Sequence, residues 1–303
     1  MIGYRASTIK DSGSTKKYTA SYGNTLYKTS FANYYYNFSR FNNSVVIGNN
    51  VSNCSAMFFQ CYGLNKPVTI GKNVTDCANM FCNCNNFNQP ITIPNSVVNC
   101  AHMFSNCSYF NQPINISDSV DNCSSMFYRC ARLNQPVTIG KNVVDCTNMF
   151  NTCTNLNSIV TIGDNVTICL NMFRSCYSFN CPINIPKNVT SCIRMFGDCK
   201  NFAQDLVIPK SAVSCQYMLN NCVNYSGNIY INSPETNLFC IFGDRNNYHN
   251  YRKNLFCNDL SELVNTDLFN IWSGPWHPIW TEMSNGYYNE MYNIYLYNNY
   301  VGT

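Results

Sequence analysis

Cysteine is the residue type here with the most chemistry to offer. The chain of 303 residues holds 20 Cys, and sixteen fall into two series with a constant spacing of 23. One series is Cys54, Cys77, Cys100, Cys123, Cys146, Cys169, Cys192 and Cys215; the other is Cys61, Cys84, Cys107, Cys130, Cys153, Cys176, Cys199 and Cys222. Thiolates bind zinc, close disulfides and attack electrophiles. Zinc needs four ligands converging on a tetrahedron, and only His102, His249 and His277 stand by to complete such sets. On stacked repeats, equivalent Cys would lie about 4.8 Å apart. That is near bridging range, but parallel Cβ vectors disfavour the bond. The two series therefore read as ladders of free thiols packed as small hydrophobes, with no metal. Cys82 and Cys181 fall outside both ladders and are expected at the surface, while Cys240 and Cys257 leave a pairing open.

The other chemistry-bearing residues do not assemble into a catalytic set. The three His are scattered. The four Glu (Glu235, Glu262, Glu282, Glu290) all lie near the C-terminus, so a carboxylate pair is conceivable only there. No Gly-rich phosphate loop occurs. Basic residues within the repeats are too sparse for a nucleic-acid groove. No run of about 18 apolar residues offers a membrane span. Met1 leads into polar sequence with no apolar export segment, which together with the abundant Cys points to synthesis in a reducing cytosol. The reading is a non-enzyme without cofactor that binds or builds.

Charge is scarce, at 11% Asp, Glu, Lys and Arg, so long-range steering of charged partners is weak. It is also polarised. Residues 1–40 hold six Lys/Arg against Asp11 (+5), residues 41–232 hold ten basic and seven acidic (+3), and residues 233–303 hold three basic and seven acidic (−4).

The elements that must position the Cys follow from the repeat. Between each pair lies a Met, from Met57 to Met218, followed by Phe except at Leu219. Each rung reads roughly F-N-Q-P-I-T-I-P-x-x-V-x-x-C-x-x-M-F-x-x-C-x-x. The I-x-I run, as in Ile91-Thr92-Ile93, is bounded by turn formers and predicts a short strand, stacked in parallel with its middle residue outward. Val74, Cys77, Met80, Phe81 and Cys84 step by three and four, which predicts short helical or 3₁₀ turns on the opposite wall. One rung cannot bury so many apolar groups alone, so the array must fold as a stack. Phe31, Tyr34, Phe38, Phe41, Val45 and Ile47 fall one period before Cys54, Met57, Cys61, Leu64, Val68 and Ile70, and form a degenerate first rung.

Three parts result: a basic arm at 1–30, a solenoid at 31–232, and an aromatic-rich cap or assembly region at 233–303. Two candidate binding surfaces emerge. The outward strand positions are Thr69, Thr92, Asn115, Thr138, Thr161, Asn184, Val207 and Tyr230. The tail gathers Trp272, Trp276, Trp280, Tyr287, Tyr288 and Tyr292, with Tyr295, Tyr297 and Tyr300 beyond. Aromatics of this density serve as interface anchors, and their spacing suits either a helical face or a strand.

Phe110-Asn111-Gln112-Pro113-Ile114, with Met103-Phe104 before it, resembles the BspA-like bacterial surface repeat. Ile183-Asn184-Ile185-Pro186-Lys187-Asn188-Val189 resembles the Treponema-type leucine-rich repeat of the same group. The resemblance covers about residues 31–232 and implies a curved, right-handed α/β solenoid of leucine-rich-repeat type. Its parallel sheet would occupy a concave face, and adhesion to host macromolecules would be a frequent role. Cys stands here where the family more often has an aliphatic residue or Gly, and no export or wall-anchoring feature accompanies it. The expectation is therefore a structural or attachment protein of a phage or virus particle, made in a host cytoplasm, located in the virion and docking other protein chains as an oligomer. The alternative is a cell-surface adhesin that binds a host protein or glycan.

Overall fold

The computed structural model describes residues 29–233, 236–238 and 241–242, together with the backbone of three further strands at Tyr18–Thr19, Lys253–Cys257 and Tyr292–Leu296. Ten strands occur among the described residues: β1 Tyr18–Thr19, β2 Val45–Val46, β3 Val68–Thr69, β4 Ile114–Asn115, β5 Val137–Thr138, β6 Val160–Thr161, β7 Leu206–Ile208, β8 Asn228–Ile231, β9 Lys253–Cys257 and β10 Tyr292–Leu296. Every pairing is parallel. Within the repeats the partners are 23 residues apart, as Val137 with Val160 and Leu206 with Ile229. The strands form three sheets, β1-β2-β3, β4-β5-β6 and β7-β8-β9-β10. Alternation works as expected: Val137 and Ile139 are buried while Thr138 between them is exposed.

The breaks between sheets trace to one position, immediately after each I-x-I run. Where a rung has Gly there, it pairs with the rung before: Gly71, Gly140 and Gly163. A Cβ on these would clash with the carbonyl oxygens of Gly48, Ser117 and Gly140 respectively. Rungs bearing Pro94, Ser117, Pro186 and Pro209 are not paired with their predecessors, so Ile91–Ile93 and Ile183–Ile185 belong to no strand. A side chain at this position holds the neighbouring backbone away, and Pro also lacks the N–H. At the C-terminal end Asn232 occupies the place, and its N–H still reaches the Ile208 carbonyl at 3.2 Å.

The opposite wall is not helical, and no helix occurs among the described residues. It is a chain of overlapping β-turns. Met57, Phe59 and Cys61 donate backwards to the carbonyls of Cys54, Ala56 and Phe58, whereas Ala56, Phe58 and Gln60 donate forwards to Ala78, Met80 and Cys82 of the next rung. Every second N–H is thus spent between rungs, which an α-helix with its i→i−4 bonds cannot do. Two residues per rung take positive φ to permit this, Ala56 at 50° and Gln60 at 60° in the first full rung. Eighteen non-glycine residues adopt that conformation, eight of them Asn, the side chain best suited to it after Gly. Successive turns and a helix share the three-and-four spacing of inward residues, so the expectation about burial holds where the helix does not. Beside the turns, nine parallel bridges run unbroken from Ser30 through Asn53, Asp76 and so on to Asn237.

Between the walls the core repeats rung by rung. Phe58, Phe81, Phe104, Phe127, Phe150, Phe173 and Phe196 are fully buried and form one stack, with successive centroids 5.4–5.7 Å apart. Each stacked pair adds about 0.5–1.5 kcal/mol beyond area burial. The Asn of F-N-Q-P also proves to be scaffold. The side-chain oxygens of Asn42, Asn65, Asn88, Asn111, Asn134, Asn157 and Asn180 each accept the backbone N–H one period later, at 2.8–3.0 Å.

Beyond the repeats the sheet continues with different spacing. Tyr230 pairs with Phe256, and Phe256 with Tyr295. Of the aromatic tail, Tyr292 opens β10. Trp272, Trp276, Trp280, Tyr287 and Tyr288 lie outside the described residues, as does most of the 1–30 arm.

Candidate binding surface

The thiol ladders are the first candidate for chemistry, and the geometry makes them inert. All sixteen ladder Cys are buried and free. Those of the second ladder donate Sγ–H to a backbone carbonyl 26 residues earlier, Cys84 to Phe58 at 3.0 Å and Cys130 to Phe104 at 3.1 Å, for example. Burial pushes the thiols up: Cys54 and Cys100 to about 12, with the Asp76 carboxylate adding to the effect, and Cys61 to about 12. Nucleophilic or metal-binding cysteine needs the opposite displacement. Cys82, expected at the surface, is buried, because its turn position faces Ser105 of the next rung; its thiol is raised to about 11. Cys181 is half-buried. No cluster of His, Cys, Asp and Glu suited to a metal occurs among the described residues.

The strand wall presents the second candidate. Thr69, Thr92, Asn115, Thr138, Thr161 and Asn184 are all exposed, one per rung, in a single row. Val207 and Tyr230 continue that row half-buried. A second row, unanticipated, runs two residues earlier on the same face: Pro67, Pro90, Pro113, Pro136, Ile159 and Pro182, all exposed. Its signal was present in the Pro of F-N-Q-P, since residues two apart on a strand share a face. The face thus pairs a rigid apolar stripe with a hydroxyl and amide stripe.

Near the middle of this face the surface opens into a shallow groove of about 470 Å³ lined by Asn95, Asn115, Ser117, Asp118, Ser119 and Thr138. It lies where Ser117 interrupts the Gly position. The Ser117 and Ser119 hydroxyls are 2.6 Å apart, and Ser119 donates to the Val97 carbonyl. Asp118 accepts from the Lys141 backbone N–H at 2.9 Å and pairs with its ammonium at 2.8 Å. The Lys141 hydrogen bonds hold the Asp118 carboxyl below its ordinary range. The groove offers donors and acceptors but no general base poised over a nucleophile.

These features define a class: a parallel-strand repeat solenoid with a turn-built back wall and an exposed, largely neutral strand face. A family model described as "Mycoplasma protein of unknown function, DUF285" matches residues 23–93, 53–162 and 140–232. The chain belongs to that family. None of the curated proteins compared with it matches. Among solved structures it is similar to a leucine rich cell surface protein from Faecalibacterium prausnitzii A2-165, at 19% identity over 66% of this chain and 75% of that one, with a TM-score of 0.31.

Proposed function

We propose that the chain is a non-catalytic attachment protein of a cell surface, binding a host protein or glycan through the strand face. The observation that carries this reading is the double row of exposed side chains, Pro and Ile beside Thr and Asn, kept in register over six rungs. A rigid apolar stripe supplies contact area, and the adjacent hydroxyls and amides supply directed hydrogen bonds at less desolvation cost than charged groups would incur. That combination is what a neutral, polar ligand requires. The family is described from Mycoplasma, a cellular source, which favours a protein of the cell over a virion component.

The test is substitution on the exposed row. Asn115→Arg with Thr138→Arg should leave the thermal transition unchanged, since exposed sites seldom move stability by more than about 0.5 kcal/mol. The same pair should reduce binding of fluorescent chain to cultured epithelial cells and to a glycan array by about tenfold or more, as expected for hot-spot positions. Unchanged binding by a folded variant would move the site off this face.

A further inference from the structure

The floor of the groove beside Ser117 has no proton to give. A serine hydroxyl carries one hydrogen and accepts on its lone pairs. Ser119 donates its hydrogen to the Val97 carbonyl at 2.8 Å. Ser96 and Ser211, at the same place in other rungs, donate to Val74 and Val189 in the same way. The 2.6 Å contact between Ser117 and Ser119 therefore uses the Ser117 hydrogen, which leaves the Ser117 oxygen to the groove as an acceptor. Asp118 adds its carboxylate, with Oδ1 on the Lys141 backbone N–H and Oδ2 on the Lys141 ammonium, and each oxygen keeps accepting capacity. The ammonium, 2.8 Å away, also balances the carboxylate charge. Above this floor stand Asn115 and Thr138, both exposed, whose side chains make no hydrogen bond among the described residues. The described rungs hold this set once. Asp164 and Lys187 stand one period apart as Asp118 and Lys141 do, but Gly163 and Asn165 take the places of Ser117 and Ser119.

Resting on the strand-face reading above and naming its ligand class, we propose that this groove is a subsite for a neutral, hydroxyl-rich glycan, held by a diol that donates to Ser117 and Asp118. Other chemistries fit the floor less well. Sulfate, phosphate and carboxylate groups bring acceptors only, so they meet acceptors and the Asp118 charge. A peptide ammonium brings donors, but Lys141 already holds the place beside the carboxylate, and a second cation there meets its repulsion. Sugar hydroxyls do both jobs without charge. They donate to the floor and accept from the Asn115 amide and the Thr138 hydroxyl. Pro113 and Pro136 are exposed two residues before Asn115 and Thr138 on the same face, about 6.6 Å away at about 3.3 Å per residue. One or two sugar rings span that step. The apolar C–H face of the sugar then rests on the Pro stripe while its hydroxyl edge reaches the groove.

The experiment uses the full chain, fluorescently labelled, on an array of neutral, sialylated and sulfated glycans, with binding to cultured epithelial cells measured in parallel. Binding should concentrate on neutral glycans. O-methylation of a bound glycan keeps its oxygen acceptors and removes its donors, and should weaken binding about tenfold or more, the size of one lost hydrogen bond to a charged group. Ser117→Ala removes one floor acceptor, and Asp118→Asn replaces a carboxylate oxygen with a donor. Each should weaken glycan binding about tenfold at an unchanged thermal transition. Binding to no neutral glycan, preference for sialylated or sulfated ones, indifference to O-methylation, or indifference to both variants would each overturn the proposal. The cell assay separates this from the broader reading. If Ser117→Ala and Asp118→Asn leave cell binding intact while Asn115→Arg with Thr138→Arg removes it, the strand face is the site and the groove proposal fails. If all of them leave it intact, both readings fail.

Discussion

The two walls of the solenoid follow the same repeat but obey it differently. The turn wall carries nine successive bridges without a gap, and the strand wall is cut into three sheets. On the turn wall the inward identities hardly vary, with Met and Phe or Leu at fixed places in all eight rungs. On the strand wall the residue after the I-x-I run is free to be Gly, Pro or Ser, and the ladder opens or closes with it. Continuity of the fold therefore lives in the turn wall and its core of thiols, thioethers and stacked rings. The strand wall can tolerate interruption and carry surface variation, and the groove beside Ser117 is one result.

Alkali should break this comparison most severely. The buried thiols are protonated in the fold and raised above their ordinary values, so folding favours the neutral form. Their contribution is complete below the unfolded thiol value near 8.5 and is lost as pH rises toward about 12. Ionising one such thiol in place, raised from near 8.5 to about 12, costs on the order of 5 kcal/mol, and the ladders hold many. Circular dichroism and thiolate absorbance should change together in one steep alkaline transition. Gradual thiolate formation with the fold intact would show that the ladders are not what holds the walls together.

Phe127→Ala comes next, because it removes a ring from the centre of the stack and leaves a cavity in contact with Phe104 and Phe150. The expected loss is about 3–5 kcal/mol in urea unfolding. A loss below about 1 kcal/mol would mean the rungs close up around the gap. The smallest effect belongs to the strand wall. Gly140→Pro should part β4 from β5 at a cost of about 1–3 kcal/mol, less than Phe127→Ala. Ser117→Gly should do the reverse, letting Ile114–Ile116 pair with Ile91–Ile93 and protecting the amides of Asn115 and position 117 from hydrogen exchange. If Gly140→Pro unfolds the chain outright, the two walls do not differ in the way described.

Much of this was legible in the residues. The period, the strand positions other than Ile91–Ile93 and Ile183–Ile185, the outward Thr/Asn row and the burial of Val, Cys, Met and Phe followed from spacing. The turn wall did not, because three-and-four spacing serves a helix and a run of β-turns alike; the distinguishing sign was the Asn at positive-φ places such as Asn79 and Asn83. The burial of Cys82 was missed for the same reason, since in the turns its position packs against the next rung. The groove was missed because it depends on how closely the Ser117 carbonyl approaches Gly140 of the rung that follows. The continuation of the sheet through β9 and β10 was hidden by the change of spacing after Ile231.

The Asn42-to-Asn180 series of side-chain bonds has a genetic consequence. Each bond joins a rung only to its immediate neighbour, and each rung offers the same acceptor and the same donor. Excision of any 23 consecutive codons within the series therefore rejoins an Asn oxygen to the amide it would have met one rung further on. Unequal recombination between copies of the repeat can lengthen or shorten the molecule in whole rungs, resizing the displayed surface while each new junction inherits a working set of bonds.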